Sequence, residues 1–305
     1  LILAHLVLVA FAALTWPATA GDGLPRARRD LLAGLCLGTG ILCDYSAAPL
    51  ALVFGAWILW LRWTEGGLAE GFRGGLRFVA GAVGPVLVLL GYQAAAFGSP
   101  WFPAQRYMPA TELSTLGWNG MTWPTARLLW DNLFSPTYGL FVFCPVLLAA
   151  FAAPLFRREN AAGRLDWQEL ALVFAGFAAL WLFSSANQFS HLQFNTGVRY
   201  MVPAVPLLFA ATVPVLLHAP RLLAWALLIP TVAISWSVSM AREDVPTSLT
   251  RVFLMGPELP WVTVLERMAS GYVPYLADGV SPLAVLALLA VVVWLIWRGG
   301  DPRAP

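Results

Sequence analysis

The stretch QFNTGVRYMVPAVPLL (193–208) sets one arginine at the mouth of a long apolar run, with Gly197 two residues before Arg199 and Tyr200 directly after it. A glycine lets a headgroup approach backbone N–H groups closely. A guanidinium beside it offers a rigid fork matched to phosphate oxygens, in bidentate, charge-assisted hydrogen bonds. This spacing suggests capture of a phosphate. The plainer alternative is an interfacial anchor whose charge snorkels to water. Just upstream, polar residues crowd between two apolar runs: Asn187, Gln188, Ser190, His191, Gln193, Asn195 and Thr196. His191 has no ligand partner at metal-binding spacing, which favours a neutral hydrogen-bonding role over a metal.

Three further stretches carry polar groups at the ends of apolar runs. In ILCDYSAAPL, a carboxylate closing an apolar run is costly unless it reaches water or a partner. Asp44 or Ser46 could cap the next helix, with Pro49 tolerated in its first turn. Alternatively, Asp44 and Tyr45 face a cavity, where they contact a sugar hydroxyl or orient a cation. In FGSPWFPAQRYMPATE, Arg106 and Tyr107 follow a Gly-Ser-Pro break, with Glu112 nearby. They read either as a second phosphate-facing pair or as an Arg-Tyr anchor on a solvated loop. In LFSPTYGLFVFCPVLL, Ser135, Pro136, Tyr138 and Gly139 make a tight turn into the next run.

The elements that must position these groups are membrane helices. The chain is 59% hydrophobic and 11% charged, with a mean hydropathy of +0.73. Soluble domains run at about 45–50% apolar and about 25% charged, so the solvent for this surface is lipid. The alternating pattern of a β-barrel is absent. The expected fold is all-α: a polytopic transmembrane helical bundle with about nine segments, at 1–16, 31–43, 47–63, 78–97, 139–156, 168–185, 200–217, 222–240 and 283–297. The second and third read as a helical hairpin. A single transmembrane domain covers 1–298, and a short cytoplasmic tail follows at 299–305. The chain opens at Leu1, already inside an apolar run, so an N-terminal part is expected to be missing.

Orientation comes from the arginines, since all 18 basic residues are arginine. One set of loops holds Arg26, Arg28, Arg29, Arg62, Arg73, Arg77, Arg157, Arg158, Arg164, Arg221, Arg298 and Arg303. The other holds only Arg106, Arg127, Arg199, Arg242, Arg251 and Arg267. The richer set is expected to be cytoplasmic. Two long loops, 98–138 and 241–282, then lie on the outer side with Arg199. Each is suited by its spacing to an interfacial helix. In TWPTARLLWDNLFSP the stripe is Trp123, Ala126, Trp130 and Leu133, with Arg127 and Asp131 on another face. In PWVTVLERMASG it is Trp261, Leu265 and Met268. Cys36, Cys43 and Cys144 lie inside apolar runs and read as small core residues. A phosphate-binding glycine loop, a nucleophile elbow, an HExxH helix and a basic nucleic-acid stripe are all missing from the sequence.

Taken in order, four stretches resemble bacterial members of the GT-C superfamily of polytopic glycosyltransferases, near the protein O-mannosyltransferase-like enzymes. They are the acidic-Tyr pair in GTGILCDYSAAPL, the FGSP of YQAAAFGSPW, LFSPTYGLFVFCPVLL, and GVRYMVPAVPLL. The resemblance spans about residues 30–215. It implies transfer of a sugar from a polyprenyl-phosphate donor to a lipid, glycan or protein acceptor on the outer face of the bacterial inner membrane. It implies no nucleic-acid partner; no cofactor is evident, and a divalent metal stays open. The family's catalytic acid sits in a first outer loop, which this sequence does not match, and NTGVRY departs from the family's GG-x-x-x-GPRY form. The catalytic base is therefore unassigned. The expected substrate-binding residues are Arg199, Tyr200, Arg106, Tyr107, Asp44, Tyr45, Glu112 and His191. A transporter or lipid flippase and a non-catalytic scaffold are the competing readings. Ionisable residues gather at helix ends rather than at mid-membrane, which favours an interfacial enzyme over a transporter.

Overall fold

A computed structural model describes residues 1–15, 24–102, 104–107, 109, 111–156, 165–191, 197–257, 259 and 283–299. Every regular element among them is helical, and pairing between extended segments is limited to isolated bridges. The chain divides into two compact units, Leu1–Leu228 and Ile229–Pro305.

The first unit starts with α1 (Ile2–Thr15) and α2 (Arg26–Cys43). They run antiparallel, since Leu3 at the start of α1 lies against Gly40 near the end of α2. Asp44 then turns the chain. Its carbonyl accepts from Ala47 N–H at 3.0 Å and its Oδ1 from Ser46 N–H at 2.9 Å, which starts α3 (Ala47–Phe97). This 51-residue element breaks at Gly67, where φ 80° and ψ 179° define a conformation open essentially to glycine alone. The arms 47–66 and 68–97 fold back antiparallel, with Gly74 against Ile58 and Arg62, and Gly55 against Phe78.

The second arm of α3 runs parallel to α2 at very close range. A β-carbon on Gly34 would strike the backbone of Phe78, and one on Gly38 would lie 2.6 Å from the Cα of Ala82. Gly81 sits just as tightly on the backbone of Leu31 and Leu35. Small residues four apart let helices approach backbone to backbone, the dominant packing device where lipid removes the hydrophobic drive.

At the arginine-rich end of this three-arm assembly, Asp30 is fully buried and Arg62 only 3% exposed. Arg62 Nη2 donates to Asp30 Oδ1 at 2.8 Å, Nε lies 3.2 Å from the same oxygen, and Nη1 donates to Glu65 at 2.8 Å. Arg77 bridges Asp30 at 3.7 Å and Glu70 at 2.8 Å, while Arg73 and Arg26 pair with Glu70 and Glu65. These arginines do share one end, as the loop alternation requires. Arg62, however, is a core residue of the helix packing rather than a loop charge.

After α3 come a 3₁₀ turn (Ala104–Tyr107), α4 (Ala126–Phe134), the one-turn α5 (Leu140–Phe143) and a 3₁₀ run, Pro145–Phe156. Then α6 (Trp167–Ala186) opens with a reciprocal capping box between Asp166 and Glu169. It runs antiparallel to the first arm of α3: Trp57 Nε1 donates to Gln168 O near one end, and Leu50 meets Gly176 further along. Its last turn therefore lies at the end opposite the buried arginine. A 3₁₀ turn, Arg199–Met201, leads into α7 (Ala204–His218), and α8 (Arg221–Ala241) follows.

Within the second unit, α9 (Val245–Thr250) is capped by Asp244, which accepts from Thr247 N–H at 3.0 Å. It passes into a π turn, Arg251–Met255, where Arg251 pairs with Glu243 at 2.8 Å. The final helix is α10 (Leu283–Gly299).

Three helices among the described residues are long and apolar enough to cross a membrane: α3, α6 and α8. They mark the chain as a helical membrane protein. Helical elements fall within the expected segments, but nine crossings are not supported. The helix α1, with 14 residues, α7, with 15, and the 12-residue run Pro145–Phe156 fall short of a span. The helix α2 opens with three arginines and an aspartate, which leave too few apolar residues. The segments at 47–63 and 78–97 belong to one element.

Of the two expected interfacial helices, α4 is present and amphipathic, capped by Thr125, which accepts from Leu128 N–H. Its stripe is displaced from the expected one. Leu128, Asn132 and Leu133 are buried, whereas Trp130 is 64% exposed and Trp123 lies before the helix, 90% exposed. The second, at 260–271, and the tail at 300–305 lie outside the described residues. Of the cysteines, Cys36 is buried, Cys144 half-buried and Cys43 exposed, so only Cys36 is a core residue in full.

Candidate functional site

The end of the first unit opposite the arginine cluster is built by α4 docking on the last turn of α6. The preceding loop zips onto the same turn: Thr122 N–H donates to Ala186 O and Gln188 N–H to Gly120 O, each at 2.9 Å. Trp181 Nε1 donates to Leu129 O at 2.9 Å, fixing the helix sideways.

A polar chain runs through this interface. Asn132, on the buried face of α4, is fully enclosed. Its Nδ2 donates to Ser185 Oγ on α6 at 3.0 Å, and its Oδ1 lies 2.8 Å from His191 Nε2. A carbonyl oxygen only accepts, so Nε2 of His191 carries the proton and Nδ1 holds the lone pair. Tyr138 stacks on the imidazole, with centroids 4.0 Å apart and planes 7° from parallel, and its hydroxyl donates to His191 O at 3.4 Å. Burial holds the ring below its usual pKa; Asp131 pulls it partly back up, and Arg127 pushes it down. His191 is thus a neutral, oriented, half-buried base near pH 7, in the hydrogen-bonding role its isolation suggests.

The turn that carries Tyr138 also reaches Arg199. Gly139 N–H donates to Ser135 O at 2.7 Å, and Gly197 N–H donates to Thr137 O at 2.7 Å. That bond ties the segment before Arg199 to the residue before Tyr138. Arg199 itself is exposed. Its Nη2 donates to Tyr200 OH at 3.3 Å, and its guanidinium carbon stands 5.1 Å from the centre of the same ring. Tyr200 in turn meets Phe183 of α6 edge to face.

The other sequence candidates form separate groups. Asp44 closes its turn through Ser46 N–H, and Tyr45 OH accepts from Gln93 Nε2 at 2.6 Å across to the end of α3. Arg106 lies over the Phe102 ring at 4.5 Å, and Tyr107 stacks on Phe97 at 4.8 Å. Glu112 is exposed in a turn where Thr115 Oγ1 donates to its carbonyl. Among the described residues, no hydrogen bond, ion pair or ring contact joins these groups to Arg199 or His191. Gln193, Asn195 and Thr196 lie outside the described residues.

Asn132 and Ser185 escaped sequence reasoning, and Tyr138 was read only as part of a turn. The available signal was Asn132 itself, four residues after Leu128 on an otherwise apolar helix face. Among the described residues, no group of three or more His, Cys, Asp or Glu could hold a metal ion. The arrangement can accept a proton at His191 Nδ1 and bind an anion at Arg199. Compared with known proteins, the chain matches no family model, no curated protein and no solved structure.

Proposed function

We propose that this protein transfers a sugar from a polyprenyl-phosphate donor to an acceptor hydroxyl at the non-cytoplasmic face of a bacterial inner membrane. The observation that supports this reading is the backbone bond from Gly197 to Thr137. It brings an exposed guanidinium, Arg199, to the same end as the polar chain Ser185–Asn132–His191. Glycosyl transfer from a lipid phosphate needs two things: charge stabilisation for the departing phosphate and an oriented polar group at the attacking hydroxyl. The order of the four motif stretches agrees with it. In this reading the arginine-rich end is cytoplasmic, and the 98–138 and 241–282 loops lie outside.

Arg199 binds the donor phosphate through its planar fork. In this reading Asp44 with Tyr45, Arg106 with Tyr107, and Glu112, which form separate groups, offer further contacts to hydroxyl-bearing ligands.

The full-length protein, reconstituted in liposomes with a polyprenyl-phosphate sugar, should release polyprenyl phosphate and glycosylate an acceptor. Arg199→Ala should weaken binding of the lipid phosphate about tenfold or more, and Arg199→Lys should not restore it, because a point charge lacks the fork. Undiminished binding in Arg199→Ala removes the arginine from the site. Movement of the lipid across the bilayer without sugar transfer identifies a transporter instead.

A further inference from the structure

We infer that His191 is the proton acceptor for the attacking hydroxyl, taking the proton at Nδ1, with Asn132 and Ser185 as the residues that position it. This inference rests on the transferase reading and deepens it by naming the group that sequence motifs left unassigned.

Its basis is the direction of the hydrogen-bond chain. Asn132 Nδ2 donates to Ser185 Oγ at 3.0 Å, and its Oδ1 is the atom that meets the imidazole, at 2.8 Å. The proton on the ring is therefore held at Nε2, turned into the protein. Tyr138 stacks on the ring face, with centroids 4.0 Å apart and planes 7° from parallel, which fixes the plane of the imidazole. Among the described residues, Nδ1 has no hydrogen-bond partner. A buried amide that fixes one nitrogen as a donor and leaves the other free is what a general base requires. The carboxylates do not compete well for the role. Asp44 accepts from its own turn, Asp131 pairs with Arg127 at 3.4 Å, and Glu112 stands free in solvent.

The step balances. The hydroxyl oxygen of the acceptor bonds to C1 of the sugar as the C1–O bond to the polyprenyl phosphate breaks. The bonding pair leaves with the phosphate, which goes from monoanion to dianion. The hydroxyl proton passes to Nδ1, giving an imidazolium that returns it to water. Net charge is unchanged, and Arg199 faces the growing charge on the phosphate.

Among the described residues, the groups that act on the proton affinity of His191 can be named. Asp131 and Arg127 face it from α4, Tyr138 from the turn, and Asn132 and Ser185 are neutral. Replacing Asn132 by aspartate puts a carboxylate on Nε2 and raises the affinity for the proton.

The test uses the full-length protein in liposomes with a polyprenyl-phosphate sugar and a hydroxyl acceptor. His191→Gln keeps a donor for Asn132 and removes the base. It should lower kcat about 100-fold while lipid-phosphate binding stays within threefold. In Asn132→Asp, the acid limb of the pH–rate profile should move to higher pH, which a purely structural histidine would not produce. A wild type that turns over while His191→Gln keeps its rate, or an acid limb unmoved in Asn132→Asp, overturns the inference and leaves the transferase reading standing. A wild type that binds the donor and transfers no sugar to any acceptor overturns both.

Discussion

Arg62 and Asp30 meet across the α2–α3 contact at 2.8 Å, with the side chains 4% and 0% exposed. A single aspartate buried between helices is expensive, and this one is met by two nitrogens of Arg62 and by Arg77. Removing one partner of such a pair leaves an uncompensated charge inside the protein. Asp30→Asn should therefore destabilise the chain by about 3 kcal/mol, read as a loss of thermal stability in detergent. The exchange of both charges, Asp30→Arg with Arg62→Asp, should recover part of it. A fully stable Asp30→Asn would mean that the network adds nothing to the packing of α2 on α3.

The glycines of the same assembly separate two physical demands. Gly34 has no room for a side chain against Phe78, so Gly34→Val should push α2 off α3, costing about 1–3 kcal/mol or more. Gly67 has open space around it, but its φ of 80° and ψ of 179° strain any other residue. Gly67→Ala should cost about 1–3 kcal/mol through the backbone alone. Crosslinking between α2 and the second arm of α3 should be lost in the first variant and kept in the second.

Asn132 supports partners on two sides. Asn132→Leu leaves the imidazole Nε2 and the Ser185 hydroxyl without their partner, at a cost of about 1–3 kcal/mol. Thermal midpoints of Asn132→Leu and of the milder Asn132→Asp check this: the leucine variant should be clearly the less stable.

His191 also makes stability depend on pH. Burial lowers its pKa in the folded chain below the value of about 6.5 it has when unfolded. Between the two values the unfolded state binds more protons, so acidification favours unfolding. The contribution is fully present above about pH 6.5 and is lost as pH falls through the folded value. Melting curves from pH 8 to pH 5 should show a drop in wild type that His191→Gln lacks.

The surface arginine gives the opposite contrast. Arg199 is exposed and touches Tyr200, so Arg199→Ala should change stability by no more than about 0.5 kcal/mol. A large thermal shift would recast it as a structural residue.

The all-α class was legible because apolar runs of helix length dominate the chain, and α6 and α8 fall almost where those runs do. The number of crossings was not, because hydropathy does not show where a helix stops. The polar stretch 64–77 looks like a loop, yet the helix runs through it except at Gly67. Charges near helix ends also mislead: in sequence, Asp30 and Arg62 look like any juxtamembrane pair, and only the backbone-close contacts of Gly34 and Gly81 bury them. At the site, a lone histidine amid polar residues was a sound pointer to hydrogen bonding. Its partner Asn132 lies 59 residues away, a separation that no local pattern encodes.

The hinge in α3 has one more consequence. Its two arms meet at a single pivot residue, and contacts on both sides of it fix how the second arm is turned. Each residue added to an α-helix advances its azimuth by about 100°. One residue inserted between Gly75 and Leu76 would keep Gly74 against Arg62 yet swing Gly81 away from Leu31 and turn Arg77 off Asp30 together, so the ionic cluster and the tight helix seam are locked to a common phase.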